Sequence, residues 1–406
     1  MPAPILLSAF ACDPRTGSEP YVGWQWTLML EHDFDLHVLT RSYSRKLIET
    51  EPPRENVRFH YFDLPFCSGF NHHWRFIKLY YCCWQLAVLP YVLTLHLRTR
   101  FAIMQHLTYN NLDVPGFLWL CPGTRFVWGP VGGGQVPPAS LRAIYGRNWW
   151  KERLRALLKA SARYNPLVRL ALRRARHVFF ANEETAQRVA DLPRAWSIML
   201  ETAIDEGKSG LPLPASRPGR PVQILWLSHV FPRKGLALAI DAFTEACRKA
   251  GDSYDMKLVV VGDGPALPQA RLQAERSAAK DHIALLGAVD HDVVQALMRS
   301  ADVFLFTSVQ DTSGNVILEA MINGVPVVAL DHQGAKSITA HQGSILVPVG
   351  SYADTVSGIA AAINALAEDP HRRHVLGMAA KQRAVEQHTW RSKRKQVQTL
   401  YQALLK

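Results

Sequence analysis

Residues 303–334 read VFLFTSVQDTSGNVILEAMINGVPVVALDHQG. The apolar run at 303–306 predicts a buried strand, and the polar loop after it carries Asp311 and ends in a Gly314-Asn315 turn. A helix holding Glu319 follows, then Gly324-Val325-Pro326 and a second buried strand at 327–330. Apolar strands alternating with helices build parallel sheets that are covered on both faces. Asp311 and Glu319 stand eight positions apart around the glycine turn. Backbone N–H groups at a helix start attract anions, and acidic side chains beside them suit hydroxyl groups. A sugar nucleotide, with its diphosphate between hydroxyl-rich rings, meets both conditions.

The same alternation runs through the whole chain. Strands are expected at 5–9, 36–40, 57–62, 101–105, 126–128 and 177–181 in the first half. In the second half they are expected at 224–227, 257–261, 283–286, 303–306, 327–330 and 344–347. The stretch 205–221, DEGKSGLPLPASRPGRP, is rich in Pro, Gly and Ser and reads as a linker. With 406 residues, each half is long enough to bury its own core. The expected fold is therefore α/β, with two Rossmann-like, doubly wound domains facing a cleft. Ligands of such sheets bind beyond the carboxyl ends of strands, so functional residues belong in the loops that follow them.

Three of those loops stand out. After the first strand comes CDPRTGSEPYVGW, where Gly17 and Gly23 let backbone approach a bulky ligand. After the strand at 224–227 comes SHVFPRKG, where Lys234 stands at a helix entrance, a good position from which to neutralise a diphosphate. FVWGPVGGGQVPP, at 126–138, places three glycines after another strand, and His106 stands where the strand before it runs out. Asp290 and Asp292 read as helix caps. Asp33-Phe34-Asp35 lies at the wrong end of its strand for a metal site, and no His/Cys cluster has zinc spacing, so neither a metal nor a cofactor is expected.

Six cysteines without framework spacing, and an N-terminus that runs straight into a strand, point to a cytoplasmic protein. The formal net charge is +12. Between Arg142 and Arg176 lie eleven Lys and Arg against Glu152 alone, eleven minus one or +10. Lys151, Arg155, Lys159 and Arg163 fall on one side of a helix, and Trp150, Leu154, Leu157 and Leu158 on another. Two readings of this block stay open. It is either a solvated face over a buried stripe or a basic helix on an anionic membrane surface, at the inner face of the plasma membrane. Residues 79–97 contain no Lys, Arg, Asp or Glu, and are read as a buried helix, an interfacial one or a span. No nucleic-acid module accompanies the basic block, so nucleic acid is not an expected partner.

Taken together, these loops resemble those of the retaining nucleotide-sugar glycosyltransferases of family 4, which have the GT-B architecture. The resemblance is strongest at 222–338 and at ACDPRTGSEPYVGW, which is similar to a bacterial polysaccharide-synthesis subgroup. It implies a first domain at 1–204 that binds the acceptor, a donor domain at 222–385, and a closing helix at 386–406 that crosses back. It implies that Asp311 contacts the donor sugar and that Glu319 binds the ribose. Lys234 would hold the diphosphate, helped by Arg233 and by N–H groups of Gly314, Asn315 and Val316. Gly17 and Gly23 would close on the donor, and His106 would meet the transferred sugar. The implied reaction is metal-independent hexosyl transfer, with retention, to a glycan or lipid-linked glycan of exopolysaccharide or lipopolysaccharide synthesis.

The sequence departs from that pattern in three places. Asp311 is one methylene shorter than the family's Glu, Ser313 replaces a common aromatic residue, and Ser228-His229 replaces Gly-Arg. At His229 a permanently charged guanidinium gives way to an imidazole. These departures leave open a second reading, a non-transferring protein of the same fold, either an epimerase or a degenerate nucleotide-sugar binder.

Overall fold

The computed structural model describes residues 2–15, 17, 19–64, 77–205, 207, 219–251, 253 and 255–406. The chain divides into two compact units. The first takes residues up to Gly134, then Leu157–Thr202 and Trp390–Lys406; the second takes Gln135–Ala156 and Ala203–Thr389.

Seven parallel strands build the first unit: β1 (Pro4–Ser8), β2 (Asp35–Thr40), β3 (Val57–Tyr61), β4 (Ile103–His106), β5 (Arg125–Val131), β6 (His177–Phe180) and β7 (Trp196–Ile198). Their order is β3-β2-β1-β4-β5-β6-β7, so the winding reverses between β1 and β4, where Ile5 lies beside Ile103. Helices α1 (Glu19–Leu30), α2 (Arg45–Ile48), α3 (Ile77–Thr99), α5 (Pro166–Arg174) and α6 (Glu183–Gln187) accompany them, and α4 (Trp149–Ser161) runs across the division between units. Pro166 starts α5 behind an Asn165 cap, where its missing N–H costs nothing.

Six parallel strands build the second unit: β8 (Val222–Leu227), β9 (Met256–Val261), β10 (Ile283–Gly287), β11 (Val303–Phe306), β12 (Val327–Leu330) and β13 (Ser344–Val347). The order β10-β9-β8-β11-β12-β13 places the reversal between β8 and β11. Every residue of β11 and β12 is buried, as strands covered on both faces require. Helices α7 (Leu236–Ala250), α8 (Leu267–Arg276), α9 (His291–Ser300), α10 (Asn315–Ile322), α11 (Gln333–Thr339), α12 (Tyr352–Glu368) and α13 (Pro370–Gln387) belong to this unit. The last helix, α14 (Trp390–Leu405), returns to the first unit and packs on α1, where Arg394 makes a two-pronged contact with Asp33 at 2.8 Å on each arm. Asp33 is thus a structural partner of the return helix.

Three expectations change. Residues 135–156 join the second unit and not the first, because Leu141 and Tyr145 enter its core beside Leu236 and Phe243. The expected linker at 205–221 lies largely outside the described residues. The apolar side of α4 is not a buried stripe: Trp150, Leu154, Leu157 and Leu158 are all exposed, and the buried residue of that helix is Glu152, paired with Arg155.

Candidate active site

In the second unit, the loops after β8 and β11 meet at the reversal of the sheet, where α/β sheets bind ligands. The turn Pro232–Lys234 leaves β8 and ends at Gly235, whose φ is +69°. A Cβ there would lie 2.1 Å from the Thr307 carbonyl oxygen, so only glycine lets this turn press on the exit of β11. Hydrogen bonds then join the two loops. The Val309 N–H donates to the Arg233 carbonyl at 2.9 Å, Arg233 Nη1 donates to the Gln310 carbonyl at 3.1 Å, and Thr307 Oγ1 donates to the Gly235 carbonyl at 2.8 Å.

This arrangement brings the Lys234 ammonium onto Asp311 as a half-buried ion pair, with Nζ 6.0 Å from the centre of the Phe306 ring. Burial pulls the Lys234 pKa down, and the Asp311 charge opposes that fall. Gly314, in the left-handed region at φ +59°, opens α10, so the chain turns sharply into Asn315 and Val316. Glu319 lies one turn further along, half-buried. His229 is exposed in the turn after β8, with its ring 6.4 Å from that of Phe231. Lys234, Arg233, Asp311, Gly314, Asn315, Val316, Glu319 and His229 therefore all sit in the second unit at the β8 and β11 exits.

The sequence reading missed the parts that support this loop. Gln333, buried and at φ +51°, accepts the Asp311 N–H through Oε1 at 2.9 Å and donates through Nε2 to the Val136 carbonyl at 2.9 Å. Gln310 Nε2 donates to the Gln135 carbonyl at 3.0 Å. The segment with the three glycines thus reaches the second unit and braces the Asp311 loop from behind. No periodicity marks Gln333, and its partners lie far away in sequence.

The remaining candidates lie in the first unit, at the β1/β4 reversal. A Cβ on Gly23 would come 2.2 Å from the Ala11 carbonyl oxygen, so α1 can lie on its own entry loop only with glycine there; Gly17 faces open space. His106 is fully buried. Its Nδ1–H donates to the Pro115 carbonyl at 3.3 Å, Nε2 accepts from the Tyr81 hydroxyl at 2.7 Å, and burial pushes its pKa down to about 4. In this structure no atom of His106 is open to a sugar. Nearby, Glu19 accepts the Tyr109 N–H, and burial together with the Glu201 charge pushes its carboxyl up to about 7. Among the described residues no three His, Cys, Asp or Glu side chains converge as metal ligands.

Residues 221–369 match the family model of glycosyl transferases group 1. That match lies within the second unit and covers less than half of the chain. All eight second-unit candidates lie within the matched residues, while Gly17, Gly23, His106 and the Gln135–Val136 brace lie outside them. The phosphatidyl-myo-inositol mannosyltransferase of Mycobacterium leprae is 28% identical over 229 residues, 53% of this chain and 58% of its own length. A GDP-mannose-dependent alpha-(1-6)-phosphatidylinositol monomannoside mannosyltransferase of Mycobacterium tuberculosis is 30% identical over 246 residues, 55% of this chain and 62% of its own. The putative colanic acid biosynthesis glycosyltransferase WcaL of Escherichia coli is 30% identical over 145 residues, 34% of this chain and 35% of its own. The chain thus spans less than two thirds of the length of each of these relatives.

Among solved structures, Anabaena Alr3699/HepE in complex with UDP and glucose has a TM-score of 0.63 at 17% identity, over 99% of this chain and 100% of its own. The lipopolysaccharide outer core galactosyltransferase WaaB has a TM-score of 0.66 at 10% identity, over 98% of this chain and 99% of its own. At such identities the likeness concerns the fold: two Rossmann-like domains of the GT-B class.

Proposed function

We propose that this chain is a retaining glycosyltransferase that moves a hexosyl group from a nucleotide-diphosphate sugar to a glycan or lipid-linked glycan. The observation that carries this reading is the Lys234–Asp311 pair beside the Gly314 turn and α10, inside the residues that match the glycosyl transferases group 1 model. The relatives named as mannosyltransferases and the neighbour crystallised with UDP and glucose support a nucleotide-sugar donor. WcaL and WaaB support a place in the synthesis of a bacterial surface polysaccharide.

In the proposed reaction the bond between the anomeric carbon and the donor phosphate breaks first. Lys234, Arg233 and the N–H groups of 314–316 stabilise the departing diphosphate, while positive charge grows on the sugar ring. Asp311 moves from Lys234 to the sugar, and Glu319 holds the ribose. The acceptor hydroxyl enters on the same face and passes its proton to a leaving phosphate oxygen, so the product retains the anomeric configuration. No step uses a metal. His106 acts by shaping the floor of the first unit, given its burial.

A panel of UDP-, GDP- and ADP-sugars, scored by thermal shift and then by turnover, tests the reading. One nucleotide class should raise the melting temperature and release free nucleotide only when an acceptor is present. A protein that binds donor but never turns it over with any glycan acceptor is instead the non-transferring alternative. Lys234→Ala should lower kcat by roughly 10²–10³-fold, the usual cost of removing one charge-stabilising donor, and His229→Ala by far less. Equal turnover in wild type and Lys234→Ala would remove Lys234 from the mechanism.

A further inference from the structure

We infer that the outer face of α3, together with the neighbouring basic helices, is a docking surface for an anionic lipid bilayer. The inference deepens the lipid-linked acceptor of the proposed function by naming the surface that would bring the protein to it. It rests on the pattern of α3, which at about 1.5 Å per residue is some 35 Å long.

One side of α3 is core: Tyr80, Tyr81, Trp84, Val88 and Val92 are buried in the first unit. The opposite side consists of Leu79, Cys83, Leu86, Pro90, Thr94 and Leu97. Steps of three and four place these six in one row along the helix, and all are exposed. Leu79 is 65% exposed, Leu86 58% and Leu97 78%. The solvent-facing row of a surface helix ordinarily carries charges. This row carries none, and cations appear only at its two ends, Lys78 and Arg98.

The part of the basic block that belongs to the first unit, residues 157–176, lies in the same helical layer. Val168, Ala171 and Leu172 of α5 share one core with the inner side of α3 and with Trp119. The Arg174 guanidinium sits 5.8 Å from the centre of the Trp119 ring, and Lys78 of α3 and Lys159 of α4 both act on Asp113. The outward residues of α4 and α5 are again apolar and basic, with Leu157 68% and Leu158 60% exposed. An apolar row next to a cluster of Lys and Arg is the arrangement of helices that lie in the plane of a membrane interface. No helix among the described residues is long and apolar enough to cross a membrane, which agrees with in-plane contact.

Charge selects the occupant. A second copy of this chain would bring a net +12 to a surface where residues 157–176, with six Lys and Arg and no Asp or Glu, already carry +6, so self-association there is opposed by repulsion. Nucleic acid would satisfy the cations but leave the uncharged row in water. An anionic bilayer takes both, the leucines into the boundary of its acyl region and the cations onto its headgroups.

Co-sedimentation of the full chain with phosphatidylcholine vesicles, with and without phosphatidylglycerol, needs neither donor nor acceptor. Its outcome is therefore independent of the proposed reaction. Wild type should bind only the vesicles that contain phosphatidylglycerol, and less as salt is raised. The Leu86→Glu/Leu97→Glu variant should bind roughly tenfold more weakly or worse, while keeping the wild-type thermal shift with nucleotide. Leu97→Ser, at the most exposed position of the row, gives the same reading in milder form if the double variant loses its fold. Wild type that ignores anionic vesicles at low salt overturns the inference, as does undiminished binding by the variants. A dimer in light scattering that these substitutions abolish, without changing vesicle binding, would make a second copy the occupant.

Discussion

Gln333 holds a backbone angle, φ +51°, that glycine adopts freely and other residues adopt at a cost of about 1–3 kcal/mol. Its side chain accounts for that cost, with one amide tied to both the Asp311 N–H and the Val136 carbonyl. Gln333→Gly should therefore fold as well as wild type while losing the brace. We expect its melting temperature to stay within a few degrees of wild type, with kcat lower by roughly tenfold and a raised donor KM. Unchanged kcat and KM in Gln333→Gly would mean that Asp311 holds its place without this residue. Gln333→Ala should lose both activity and stability, because it keeps the strain and loses the bonds. The sequence disclosed Lys234 and Asp311 because each stands at a strand exit, a position that pattern alone can find. It could not disclose Gln333, whose partner Val136 is 197 positions away. His106 marks the opposite limit. Its place at the end of β4 was legible, but not the direction of its ring, which Tyr81 and Pro115 close off.

Helix α14 is held to the first unit through a buried lysine. Lys393 donates to the Leu200 carbonyl and, at 2.9 Å, to the Thr202 carbonyl, while Nζ lies 5.5 Å from the Trp26 ring centre and 5.3 Å from that of Trp390. Burial pushes its pKa from the ordinary 10.5 down to about 7. Between those two values the unfolded chain holds the proton and the folded chain releases it, so this residue's contribution to stability rises with pH across that window. The stability of wild type minus that of Lys393→Met should therefore be larger at about pH 9 than at about pH 7, measured by urea unfolding. A difference independent of pH would mean that the carbonyls and rings keep the ammonium charged. At this scale the sequence was most legible where apolar runs are long. The unforeseen strand is β7, three residues at the edge of the sheet, too short to show alternation. The side of α4 that faces water was not legible either. An amphipathic pattern shows that a helix has two faces, and neighbouring elements decide which one is covered.

Across the whole molecule, alternating strands and helices in each half foretold two sheets, and the two cores are separate clusters. What the halves conceal is the exchange of segments: residues 135–156 serve the second unit and 390–406 the first. Nothing periodic announces such a crossing. Saturating nucleotide, at about a hundred times its Kd, should stabilise the unit that binds it by about 2.7 kcal/mol. Hydrogen exchange should show this chiefly in the strands of the second unit, and protection gained mainly in β1 to β7 would place the nucleotide elsewhere. The return of α14 also sets the order of events during synthesis. Its Tyr401 ring lies 5.5 Å from that of Phe34, and its hydroxyl bonds Gln105, so a side chain that follows the whole second unit in sequence is buried among the first unit's own residues. During synthesis the first unit's earlier segments leave the ribosome before α14, with residues 203–389 in between, so the first unit is expected to close after the second. A nascent chain stalled just short of α14 should expose the surface that Trp390, Val397 and Tyr401 cover, and chaperone capture of that stalled chain would show it.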